Sequence, residues 1–343
     1  MRGRAGGAIL PGSAAEARAG EGAMAHTYRV AVIGLGAIGR RMLTNMPRQG
    51  RLEIAGGWDA SAAARAAAAR DFPGLSVADS AEALIADPAT DLVYIGVPPA
   101  AHAGYARAAM AAGRAVFCEK PLGIDLAESR ALTAEMDASG LPQAVNLSLA
   151  AARGVAEMRA ALADGRLGEI AGADLRLHFG TWPRPFQASA DWLAGRAEGG
   201  FTREVATHFL YLAESLFGPG RVVCASPRFP APEAAESHVT AHLDFAGTPF
   251  TLAGSVGGAG PDLVEFTLWG SERSLRLTDF YRLWHTEGEG WAETFPGIGN
   301  PAQDAYMRQL DALVAMLDGE ATGLPRFADA LRVQALVEGI LAN

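Results

Sequence analysis

The chain is predicted to fold as an α/β domain, a doubly wound parallel sheet, followed by an α+β domain with an open, mostly antiparallel sheet. Three observations carry this expectation. Strand-like apolar runs alternate with helical patterns up to about residue 150, strand-like segments dominate beyond it, and the first strand pattern runs into Gly34-Leu35-Gly36-Ala37-Ile38-Gly39. The 343 residues divide into a tail at 1–26, a first domain at 27–150 and a second at 151–343, whose terminal helices are free to pack back on the first.

In the first domain, residues 28–33 form an apolar run that ends at the glycine cluster, and 38–46 resume at helical spacing. That is strand, tight turn and helix. Residues 52–58 read as the second strand, ending at Asp59, and the alanine-rich 61–70 as a helix of high propensity. Asp79 or Ser80 caps a short helix at 81–86, a buried strand at 91–97 is closed by Pro98-Pro99, and 100–112 is helical until Gly113. A strand at 115–118, a helix at 125–139 and a short strand at 143–146 complete the domain. In the second domain a helix at 151–163 precedes strands at 170–179, 222–229, 238–245, 250–256, 264–269 and 274–277, with a helical segment at 201–216 among them. Close turns at 246–249 and 270–273 make hairpins of their neighbours, and helices at 302–317 and 327–341 follow.

Composition excludes several classes of function. Half the residues are hydrophobic and 20% charged, enough to bury a sizeable core. Lys and Arg total 29 against 38 Asp and Glu, a net charge of −9 with the basic residues scattered, so nucleic acid is not an expected partner. No apolar run approaches the roughly 20 residues of a membrane-spanning helix. The two cysteines, Cys118 and Cys224, lie in apolar strand-like segments, so both are expected as buried thiols in a reducing cytoplasm. The first 26 residues, rich in Gly, Ala and Arg, read as a disordered tail rather than a secretory leader, with Met24 as the natural translation start.

The glycine cluster is where chemistry begins. In Gly34-x-Gly36-x-x-Gly39 the first glycine permits the tight turn, the second lets a pyrophosphate approach the backbone, and the third lets helix pack on strand. The pyrophosphate then rests on the free N–H groups of the helix start, Ala37 and Ile38 among them. Asp59 ends the next strand twenty residues after Gly39, where a carboxylate accepts ribose hydroxyls and repels a 2′-phosphate. NAD is therefore the expected cofactor, with NADP kept open by the nearby Arg40 and Arg65. Pro98 and His102 follow the strand at 91–97 on the edge where doubly wound sheets bind ligands. Glu119-Lys120-Pro121 also follows a buried strand. A lysine there can hydrogen-bond the oxygen of an alcohol or ketone, and Pro121 restricts it to extended conformations. Read alone, Glu119 and Lys120 equally fit a surface ion pair.

These segments, with Val97-Pro98-Pro99-Ala100-Ala101-His102, Gly165-Arg166-Leu167-Gly168-Glu169-Ile170 and Gly199-Gly200-Phe201-Thr202-Arg203-Glu204-Val205-Ala206-Thr207-His208, resemble the Gfo/Idh/MocA oxidoreductase family from residue 28 onward. The resemblance implies a Rossmann domain followed by the open sheet domain, and NAD(P)-linked oxidation of a sugar, cyclitol or related small molecule. It also implies a homodimer or homotetramer joined through that second sheet. It further reaches glycosidases that use bound NAD transiently, and ligand-sensing proteins. Glu204 and His208, four apart on one helix face, are implied as the acid and the proton-accepting histidine beside Lys120. Glu204 stands where the family more usually has aspartate. Cofactor contacts are implied for Gly34, Gly36, Ala37, Ile38, Gly39, Asp59, Pro98, His102, Glu119 and Lys120.

Further candidates rest on residue type. Arg203 is suited to a substrate carboxylate or phosphate, and Trp182 and Tyr281 to lining a sugar pocket, although each also fits interface packing. His238 and His242 share a strand face, but with no further ligand at suitable spacing no metal site is expected.

Overall fold

The computed structural model describes residues 26–187 and 190–342, so the predicted tail and Met24 lie outside the described residues except for His26. The first domain runs β1 (Tyr28–Ile33), α1 (Ala37–Gln49), β2 (Leu52–Trp58), α2 (Ala62–Asp71), α3 (Ala81–Ala86), β3 (Leu92–Ile95), α4 (His102–Ala111), β4 (Ala115–Cys118), α5 (Leu126–Ser139) and β5 (Gln143–Val145). All five strands are parallel, in the order β2-β1-β3-β4-β5. Successive side chains of a strand point to opposite faces, and both faces here are buried. Val30 and Val32 of β1 face α1, whereas Ala31 and Ile33 join the core formed with α3, α4 and α5. That is why these strands read as continuous apolar runs. Ser61, Ser80 and Asp125 each accept a backbone N–H at the start of α2, α3 and α5, caps worth about 1 kcal/mol each.

The second domain begins with α6 (Arg153–Ala163), then β6 (Ile170–Phe179), α7 (Thr207–Phe217), β7 (Gly220–Arg228), β8 (His238–Phe245), β9 (Thr248–Val256), β10 (Leu263–Gly270), β11 (Ser274–Thr278), β12 (Arg282–Thr286), β13 (Ala292–Glu293), α8 (Pro301–Leu317) and α9 (Phe327–Leu341). Its sheet has the order β13-β12-β11-β10-β6-β9-β8-β7, with β6 and β9 parallel and every other pair antiparallel. Leu175, Leu177, Phe250, Leu252, Phe266 and Leu268 bury one face with residues of α6, α7 and α9, which fits their strict alternation. Strands β12 and β13 were not expected, because only Leu283 among their residues is buried and the alternation is weak. α8 leaves this sheet altogether. Its Leu310 and Leu313 pack with Val30, Val32 and Met42, so the end of the chain completes the core of the first sheet.

Two expectations need correction. Cys118 is buried as expected, but Cys224 is exposed. It sits on β7, the edge strand, beside a register shift between Val222 and Cys224, where one face has nothing packed over it. The helical segment predicted at 201–216 opens as a wide π-turn, Thr202–Ala206, before α7 begins. Sequence periodicity cannot distinguish these, since only the hydrogen-bond spacing differs.

Candidate active site

The order of the first sheet reverses between β1 and β3, and the loops after those strands meet at their carboxyl ends. Gly34 there has φ +101°, and a Cβ on it would collide with the Gly96 carbonyl. No other residue fits. Unlike α2, α3 and α5, α1 has no side-chain cap: Gly36 is its N-cap, and a Cβ added at Gly36 would meet nothing within 4 Å. The uncapped N–H groups at Ala37 and Ile38 face open space, which fits a pyrophosphate.

Asp59 reaches back to this turn, accepting Leu35 N–H at 2.8 Å through Oδ2 and Ser61 N–H at 2.8 Å through Oδ1. Of the two arginines that kept NADP open, one is engaged elsewhere and one stays beside Asp59. Arg40 pairs with Asp71, and Arg65 donates to the carbonyls of Asp59 and Ala60. Pro98 is exposed at the same edge. His102 is fully buried, with Nε2 2.8 Å from the Val97 carbonyl and Nδ1 2.9 Å from the Pro121 carbonyl. It sits between the two loops, and burial holds its imidazole below the ordinary range, so the neutral ring donates to one of these carbonyls. Glu119 is likewise inward, accepting from Tyr94 Oη at 2.5 Å and from Asn146 Nδ2. Burial pushes its carboxyl up. Both lie beneath the loop, where their polar side-chain atoms already have protein partners.

Lys120 is not paired with its neighbour Glu119. It forms an ion pair with Glu204 of the second domain and donates to the Glu204 carbonyl at 3.0 Å, with side-chain exposures of 9% and 16%. The π-turn carries Glu204 to this contact, and His208 follows at the start of α7. His208 Nδ1 is buried and has no hydrogen-bond partner among the described residues. Burial first, then the positive fields of Lys120 and Arg184, hold its imidazole well below the usual range. Its ring meets Phe280 edge-on at 5.8 Å. Glu204 therefore does not orient His208; it neutralises Lys120.

Three residues that sequence reasoning did not single out complete the surroundings. Gln187 Nε2 donates to Glu204 Oε1 at 2.9 Å, and Arg184 Nη2 stands 3.9 Å from the same oxygen. Glu236, 2% exposed, accepts the Thr202 N–H at 2.7 Å at the start of the π-turn. The loop holding Arg184 and Gln187 has no periodicity to read, and its signal was only an arginine set among Trp182, Pro183, Pro185 and Phe186.

The weaker substrate candidates are engaged in packing. Arg203 makes a bidentate pair with Glu338 at 2.7 Å for both contacts, and donates to the carbonyls of Arg196 and Gly199. No donor fork remains for a ligand. Tyr281 hydroxyl meets Ser148 at 2.9 Å, and burial raises its phenol. Trp182 donates to the Leu193 carbonyl at 2.9 Å while its ring packs on Phe179 and Phe201. Among the described residues no group of three or more His, Cys, Asp and Glu is placed to hold a metal ion, and no helix is long and apolar enough to cross a membrane.

Comparison with known proteins gives a family and a fold. A sequence model described as an oxidoreductase family with an NAD-binding Rossmann fold matches residues 28–147, and one described as the GFO/IDH/MocA C-terminal domain matches residues 155–276. The chain is 30% identical over 178 residues to trans-1,2-dihydrobenzene-1,2-diol dehydrogenase of Bos taurus, covering 52% of this chain and 51% of that protein. It is 32% identical over 148 residues to inositol 2-dehydrogenase of Gluconacetobacter diazotrophicus, covering 42% and 44%. The matched stretches span about half the length of these curated relatives or less. An NAD binding oxidoreductase from Klebsiella pneumoniae has a similar fold, with a TM-score of 0.79 at 21% identity over 92% of this chain and 96% of that one.

Proposed function

The chain belongs to the Gfo/Idh/MocA oxidoreductase family, and from that premise we propose that it interconverts a secondary alcohol and its ketone on a sugar, cyclitol or related small molecule, with NAD as cofactor. The observation that carries this reading is the buried meeting of Lys120 from the first domain with Glu204 and His208 from the second. NAD, when bound, supplies the hydride acceptor that alcohol oxidation requires. Lys120 Nζ has three N–H donors, and its two contacts to Glu204 leave one for a substrate oxygen. A donor aimed at developing negative charge in a site shielded from water is worth more than in solution. His208, held toward its neutral form by burial, takes the hydroxyl proton as the carbon–oxygen double bond forms. The Asp59 carboxylate, with Arg40 paired to Asp71, favours NAD over NADP.

The test is a panel. Purified protein is incubated with NAD or NADP and polyols, free sugars and aryl glycosides, and net reduction of the cofactor is expected with a polyol or sugar, faster with NAD. Aglycone release without net NADH identifies a glycosidase with a transient redox cycle, and neither signal identifies a ligand-sensing protein. Either outcome overturns the dehydrogenase reading.

We also assign the contact between copies to the outer face of the second sheet, where Trp269 and Val223 are exposed and Glu265 lies between Arg176 and Arg276. Light scattering is expected to return two or four times the 35.7 kDa chain mass. A monomer at working concentration sinks the assignment.

A further inference from the structure

The reaction as written leaves Arg184 without a role. Its guanidinium lies over the rings of Phe179, Trp182 and Phe186, at 5.5, 5.6 and 4.7 Å from their centroids, and its side chain is 14% exposed. Nε donates to Gln187 Oε1 at 2.9 Å. Nη1 and Nη2 make no hydrogen bond to the described residues. The nearest carboxylate oxygen, Glu204 Oε1, is 3.9 Å from Nη2, outside hydrogen-bond range, and already accepts from Gln187. Neither terminal nitrogen is sealed from solvent. Arg203, by contrast, gives Nε and Nη2 to Glu338 and Nη1 to the carbonyls of Arg196 and Gly199.

Burying a guanidinium is costly unless its donors find partners. The three rings fix the plane of the Arg184 fork, and its Nη2 stands 3.9 Å from Glu204 Oε1. Glu204 lies between Lys120 and Arg184, Asp262 is the other carboxylate acting on Arg184, and neither accepts a hydrogen bond from its terminal nitrogens. Resting on the dehydrogenase reading above, we propose that the substrate carries a carboxylate and that Arg184 binds it through Nη1 and Nη2. A carboxylate presents two oxygens in one plane at the spacing of the guanidinium fork, a fit that a hydroxyl lacks. Lys120 and Arg184 flank the same Glu204 carboxylate, so an anchor on one and a reacting oxygen on the other fall within a six-carbon sugar acid. The substrate class is thus a hydroxy acid of monosaccharide size, with Gln187 positioning the arginine.

The experiment titrates matched pairs, glucuronate against glucose, galacturonate against galactose and gluconate against sorbitol, into the protein with NADH present, read by calorimetry. In at least one pair the acid is expected to bind ten-fold or more tighter than its neutral partner. Arg184→Gln is expected to erase that preference with NADH affinity unchanged. Arg184→Lys keeps the stem and charge but loses the planar fork, and is expected to retain only part of it. The proposal is overturned if no acid is preferred, if the preference survives in Arg184→Gln, or if glucose 6-phosphate outbinds every acid. Failure of NADH itself to bind counts against the redox reading alone. The same acid titrations repeated without NADH then still decide the role of Arg184.

Discussion

Lys120→Met is expected to lower turnover by about 10²- to 10⁴-fold while NADH affinity stays within about three-fold of wild type. Methionine is close to lysine in length and fills the same space, so the change removes the charge and the donors together. It also leaves the Glu204 carboxylate with Gln187 and a distant Arg184 as its surroundings. Removing one partner of a buried pair costs about 3–5 kcal/mol because the other charge is left uncompensated. Stability and catalysis therefore change together in the single variant, and a second variant separates them. Lys120→Met combined with Glu204→Gln removes the orphaned charge, so it is expected to recover most of the lost melting temperature but none of the turnover. Steady-state rates, thermal unfolding and NADH fluorescence on both variants make the comparison. Near-normal turnover in Lys120→Met would falsify the assignment of the substrate oxygen to this ammonium.

The second large effect concerns His208. His208→Asn is expected to cut alcohol oxidation by about 10²- to 10⁴-fold, the usual contribution of a positioned general base. The pH profile makes the assignment specific. Burial, with Lys120 and Arg184 adding to it, holds the folded-state imidazole well below its ordinary value. A base is active when unprotonated, so the wild-type rate should hold as pH falls through 6.5, where an exposed histidine would take up its proton. The decline should come only at lower pH. Stability follows the same sign. Below about pH 6.5 the unfolded chain binds a proton at this residue that the folded chain does not. The stabilisation is complete above that pH and is lost as pH falls toward the folded-state value, at up to about 1.4 kcal/mol per pH unit. Denaturant midpoints at pH 7.5 and 5.5 should therefore separate more in wild type than in His208→Asn. A wild-type rate titrating at pH 6.5 would contradict a buried, neutral base.

The elements that hold the cofactor end were legible because their signals are local. A strand that ends in Gly34 and a helix that starts uncapped at Gly36 are properties of a few adjacent residues, and the structure keeps both. The carboxyl-edge position of Lys120 follows from a short apolar strand just before it, β4. The partners of these residues were not legible. Sequence offered Glu119 to Lys120 and an open guanidinium to Arg203. In the fold Lys120 is paired with a residue 84 positions away and Arg203 with one 135 positions away. Cys224 failed for a related reason: an apolar strand says that one face is covered, but not that the strand lies at an edge.

What the sequence by itself determined is therefore the order and type of most elements, the parallel first sheet and the place where a dinucleotide meets it. Hydrophobic period, turn residues and helix starts are set by neighbours within a few positions. Only the tertiary structure decided that Glu204 compensates Lys120, that His102 and Glu119 face inward, and that Arg184 enters the site where Arg203 does not. Those outcomes depend on which distant surfaces meet and on which charges burial forces into pairs. Neither is written in local spacing.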